Sequence, residues 1–174
     1  MKILIVVDMQ HDFIDGSLGT EEAQKILPYV ETKIESYRSC GDTVVFTRDT
    51  HEDNYLETQE GKNLPVKHCI KGTEGHQIHK KLTVTKTDIV IDKKTFGSLD
   101  LIEVIKELQK NTVIEEIELI GLCTDICVIS NAFLLKAAFT EILISCDSSC
   151  CAGVTPESHH NALSSMKMCQ INVK

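Results

Sequence analysis

The feature that most constrains this chain is its alternation of short, β-rich apolar runs with amphipathic helical stretches. Residues 3–7 are an unbroken aliphatic run, the pattern of a strand buried on both faces. Residues 20–39 carry Ala23, Ile26, Leu27, Val30, Ile34 and Tyr37 at helical spacing. Thr20 is placed to cap them, and Glu21 and Glu22 suit the positive end of the dipole. Gly41 stops that helix, and 43–47 read as a second strand. Further on, 89–91, 115–121, 141–146 and 170–173 read as strands. A helix capped by Ser98 and running to about Lys110, a nearly all-apolar helix over 126–139 and a helix over 156–168 separate them. Strands separated by helices imply a parallel sheet with right-handed crossovers and helices on both faces. The expected fold is α/β: one three-layer, Rossmann-like domain over residues 1–174, with a six-stranded parallel sheet in the order 3-2-1-4-5-6.

Composition narrows the partners. With 18 Lys plus Arg against 26 Asp plus Glu the formal charge is −8, and an acidic chain without a basic patch repels phosphate backbones. No apolar run approaches the ~20 residues of a membrane helix. The opening run is interrupted by Asp8 too soon to read as an export signal. A cytoplasmic protein is expected, with no nucleic acid and no membrane as partner, and with a small molecule and further copies of itself instead. The eight cysteines are then reduced thiols, most of them small core residues.

In a sheet of this order ligands bind beyond the carboxyl ends of the strands. Asp8, Asp49, His51, Lys93 and the stretch from Cys123 to Cys127 all fall there. Cys127 opens a buried helix, where amides and dipole favour a thiolate; it reads either as a nucleophile or as a small buried residue. Asp8 closes an apolar strand, as a general base or as a structural anchor. Lys93 and Lys94 face opposite ways on an extended chain, so only one of them points into a site. Asp49 and His51, two apart, share one face. With His68 and Glu60 from the irregular, polar stretch 48–86 they make a donor set suited to zinc or another divalent ion. His76 and His79 are expected at the surface. The spacing of Cys146, Cys150 and Cys151 hints at a thiol metal site. No glycine-rich phosphate loop follows any strand.

These residues fall into a recognisable pattern. Asp8-Met9-Gln10-His11-Asp12-Phe13 resembles the D-x-Q-x-D-F opening of the isochorismatase-like cysteine hydrolases. Asp49-Thr50-His51, Leu64-Pro65 and the run from His68 to Gly75 resemble segments of the nicotinamidase branch. Lys93 to Ser98 resembles the family's lysine segment, and Gly121 to Val128 its G-x-x-T-D-x-C-V segment. The likeness runs from about residue 2 to 173 and keeps the motif order.

The resemblance implies a triad of Asp8, Lys93 and Cys127. It also implies a cis peptide at Leu122–Cys123, oxyanion donors in the amides of Cys123 and Cys127, and a ring pocket lined by Phe13 and Phe96. One divalent metal, zinc in the first instance and otherwise iron or manganese, would sit on Asp49, His51, His68 and Glu60. The implied reaction is hydrolysis of a small amide, nicotinamide to nicotinate and ammonia, through a thioester. The alternatives are a ureido, carbamoyl or vinyl-ether hydrolase of the same superfamily, or a non-catalytic binding module. The chain departs from the family at His11, where Asn is usual, at Ile126, and in having no Trp.

Overall fold

The computed structural model describes residues 1–174. Its elements run β1 (Lys2–Val7), α1 (His11–Ile14), α2 (Glu21–Ser39), β2 (Thr43–Asp49), a 3-10 turn (Tyr55–Glu57) and α3 (Gln59–Asn63). There follow β3 (Ile89–Lys93), α4 (Leu99–Gln109), β4 (Glu116–Leu122), a π-helical turn (Thr124–Val128), α5 (Ile129–Ala138), β5 (Leu143–Ala152), α6 (Pro156–Met168) and β6 (Asn172–Val173). All strand pairs are parallel, and the sheet order is β3-β2-β1-β4-β5-β6. This is the expected order. No helix is long and apolar enough to cross a membrane.

The three layers follow from side-chain alternation along β1. Leu4 and Val6 enter a core with Ala23, Ile26, Leu27, Val30 and Ile34 of α2. Ile3, Ile5 and Val7 enter the opposite core with Leu101 and Ile105 of α4, Ala132 and Leu135 of α5, and Leu163 and Met166 of α6. Each fully buried aliphatic side chain is worth roughly 1.5–3 kcal/mol, which commits β1 to the centre of the sheet. Thr20 accepts from the Ala23 amide and Ser98 from the Leu101 amide, so both helices start where their caps stand.

Several elements differ from the sequence expectation. β2 and β3 run two residues further, so Asp49 and Lys93 are their last residues and are register partners. The helix expected from 126 begins instead with the π-helical turn, and Cys127 lies inside it. β5 continues to Ala152 through a register shift opposite Leu119/Gly121. That shift separates the three thiols. Cys150 joins the core under α2, while Cys146 and Cys151 join the other core, with sulfurs 3.7 Å apart and no third donor. A thiol metal site is thereby ruled out.

Gly121 holds φ +113°, and a Cβ there would collide with the Val7 carbonyl. Only glycine tolerates both conditions. Gly121→Ala is predicted to cost about 2–4 kcal/mol, read as a lowered urea midpoint.

Candidate active site

The carboxyl ends of β1, β2 and β3 bring three charges together. Asp8 follows β1 in a left-handed conformation, φ 47°. Its amide donates to the Thr47 carbonyl (3.2 Å), and Thr47 Oγ1 donates to Asp8 Oδ1 (2.7 Å). Lys93 Nζ lies 2.7 Å from Asp8 Oδ2, 3.2 Å from Asp49 Oδ1 and 3.4 Å from Cys127 Sγ. Asp8, Lys93 and Cys127 are buried, whereas Lys94 is exposed at the rim. The alternation argument for the lysine therefore holds.

Burial sets the protonation. Desolvation, against the Lys93 charge, pushes the Asp8 carboxyl up. Burial opposes the Lys93 charge, yet Asp8, Cys127 and Asp49 hold the ammonium above its usual range. The Cys127 thiol is raised by burial and then by Asp8, and Lys93 only partly offsets them. Burial at this position thus works against the thiolate that a helix start would favour. Cys123, half-buried, is pushed up to about 12 by burial. The Leu122–Cys123 peptide is cis, and the Cys123 amide donates to no backbone carbonyl.

A second group of donors adjoins the first. Asp49 Oδ2 lies 2.9 Å from His51 Nε2 and 3.6 Å from His68 Nε2. Glu60 Oε1 lies 3.5 and 3.8 Å from the same two nitrogens. Burial alone would raise Asp49, but His51, His68 and Lys93 hold it well below the usual carboxylate range. His68 Nδ1 faces the Val66 carbonyl at 2.8 Å. That contact places the ring proton on Nδ1 and leaves the Nε2 lone pair turned inward, the arrangement of a metal-ligating histidine. His51 Nε2 is buried with no well-aligned hydrogen bond. Three carboxylates against one ammonium leave excess negative charge at this depth, so the donor set fits a divalent cation.

Residues outside the expected set hold these groups in place. Gln10, fully buried, donates to the carbonyls of Asp49 and His76 and accepts the Asp49 amide. Asp12 accepts the Cys69 amide at 2.7 Å. His51 and Ile70 form an isolated parallel bridge that extends the sheet pairing into the irregular loop. Asn131 accepts the Ser98 amide and donates to the carbonyls of Phe96 and Cys127. The sequence signal for Asn131 was a polar residue on a helix otherwise apolar almost all round. His76 and His79 are buried, contrary to expectation: Thr50 engages His76 Nε2 and Asp15 engages His79 Nε2, while His76 Nδ1 has no partner.

Above Cys127 opens a cavity of about 640 Å³. Phe13, Leu64, Phe96, Leu122 and Ile126 form its apolar wall, while Asp49, Glu60 and His68 supply a polar flank. Phe13 and Phe96, which the resemblance implied for a ring pocket, both line this cavity.

Residues 2–173 match the Isochorismatase domain family. A nicotinamidase of Acinetobacter baylyi is 28 % identical over 153 residues, 72 % of this chain and 70 % of that protein. The solved nicotinamidase PncA of Bacillus subtilis superposes with TM-score 0.86 at 30 % identity, covering 99 % of this chain and 98 % of the other. The pyrazinamidase of Pyrococcus horikoshii, solved in complex with zinc, superposes with TM-score 0.87 at 26 % identity and the same coverage of both chains.

Truncating Lys93 leaves the Asp8 and Asp49 carboxylates facing one another without water. Lys93→Met is predicted to lose about 3–5 kcal/mol of stability, and the exposed Lys94→Met about 0.5 kcal/mol or less. Urea denaturation of the two variants checks this; equal losses would refute the assigned strand register.

Proposed function

The chain belongs to the isochorismatase family, and from that premise we propose that it hydrolyses the amide of nicotinamide through Cys127. The observation that carries this reading is the convergence of one ammonium on Asp8, Asp49 and Cys127 at the base of an apolar cavity. A flat heteroaromatic ring suits walls made of Phe13 and Phe96, and the likeness to nicotinamidases supports the choice of amide.

In this mechanism Asp8 takes the Cys127 proton as Sγ attacks the amide carbon. A carboxyl raised by burial lies closer in proton affinity to the thiol than a solvated one, so the transfer is less uphill. Lys93 stays charged throughout and balances the thiolate as it forms. The Cys123 amide, free of a backbone acceptor, and that of Cys127 receive the developing oxyanion. Asp8 then returns the proton to the leaving nitrogen, and ammonia departs. Water adds to the thioester, Asp8 accepts its proton, and the C–S bond breaks to release the acid and restore the thiol. Asp49, His51, His68 and Glu60 would hold a divalent cation, which supplies Lewis acidity at the cavity flank.

Ammonia release from nicotinamide tests the reading. Cys127→Ala should lose activity by at least about 10³-fold, while Cys123→Ala keeps most of it because its amide remains. The reverse order would overturn the choice of nucleophile. Elemental analysis should show His51→Ala losing one equivalent of divalent metal relative to wild type. Chelation should lower ammonia release, with recovery on adding zinc.

A further inference from the structure

A second group of metal-type donors lies outside the site just described. His11 and Asp15 flank the single turn of α1, and His79 reaches them from the loop before β3. His11 Nδ1 is 3.1 Å from Asp15 Oδ1, and His79 Nε2 is 3.2 Å from Asp15 Oδ2. The imidazole centroids are 4.5 Å apart, and the three donor atoms all lie within 4.8 Å of one another. His79 is buried, and Asp15 is half-exposed, so water can complete a coordination sphere from one side. Backbone pairing holds the donors in position: the His11 amide donates to the Gln77 carbonyl (3.0 Å) and the His79 amide to the Met9 carbonyl (2.9 Å).

We propose that His11, Asp15 and His79 form a second divalent-cation site. Two imidazoles and one carboxylate select a borderline ion such as zinc, cobalt(II) or nickel(II) over magnesium or calcium, which favour all-oxygen shells. The site shares no residue with the Asp49 cluster and rests on none of the chemistry assigned to Cys127. Occupied, it ties α1, which carries Phe13 of the cavity wall, to the loop that continues from His68.

Its affinity is set by the far side of each ring. At the Asp49 cluster the far nitrogen of His68 faces a carbonyl, which supports ligation by the near nitrogen. Here His11 Nε2 and His79 Nδ1 each lie 3.4 Å from a backbone N–H, of Lys80 and Lys81 respectively. Ligation moves each ring's remaining proton to that far nitrogen, against an N–H group, so both rings must tilt to bind. The second site is therefore the weaker and fills after the first.

The test is equilibrium dialysis of the metal-free full chain against zinc, with elemental analysis of the bound metal. Wild type should take up two equivalents in sequence. Asp15→Ala, at a half-exposed position that leaves the core untouched, should take up only the tighter one. His79→Gln should match it, and His51→Ala should keep only the weaker one. If wild type and Asp15→Ala both bind a single equivalent, the cluster is a proton-bridged His–Asp–His contact and the proposal fails. Uptake of two equivalents by Asp15→Ala also overturns it. The His51→Ala arm reads the first site independently, so failure of either assignment is visible without the other.

Discussion

The Lys93 ammonium, held between the Asp8 and Asp49 carboxylates, is the interaction on which the site depends. Each of the three residues stands at the end of a different strand. They meet only because β3, β2 and β1 are adjacent, parallel and in one register. A slip of one residue along β3 would put Lys94 inward and Lys93 in water. Such a slip would also expose Ile91, so the burial that sets the register also sets the charge. Removing any one partner strands the others away from solvent, where an uncompensated charge is costly.

Asp49 joins this group to its neighbour. One oxygen faces Lys93 and the other faces the imidazoles of His51 and His68. Its position therefore couples the proposed nucleophile's electrostatics to whatever cation the histidines hold. Gln10 grips Asp49 on both sides of its backbone, which explains why a buried amide side chain sits two residues after Asp8. The loop that delivers His68 has few apolar residues of its own. It is pinned instead by the Asp12 carboxylate, the bridge at His51 and the histidine contacts around His76 and His79.

Much of this was legible in advance. The apolar runs located the strands; alternation allowed only one of Lys93 and Lys94 to face inward, and the motif likeness picked Lys93. The spacing of Asp49 and His51 gave a shared face, and the motif likeness carried His68, Glu60, Phe13 and Phe96 to the cavity. Other features were not legible. His76 and His79 sit in a polar stretch, and pattern alone cannot distinguish a surface histidine from one satisfied inside a loop. The cysteine spacing in β5 misled because a register shift turns Cys150 to one face of the sheet and leaves Cys146 and Cys151 on the other. The turn holding Cys127 is π-helical rather than the first turn of an α-helix, and burial there pushes the thiol up.

The sequence by itself determined the order of strands and helices, the faces they bury and the end of the sheet where reactive side chains collect. These are consequences of local periodicity and of the handedness of crossovers, which each segment carries with it. Only the tertiary structure decided which carboxylate faces which imidazole, that two carboxylates share one ammonium, and that His11, Asp15 and His79 meet. Those contacts join segments tens of residues apart through a loop without periodicity. Their geometry depends on polar pairings that exist only once the chain has closed on itself.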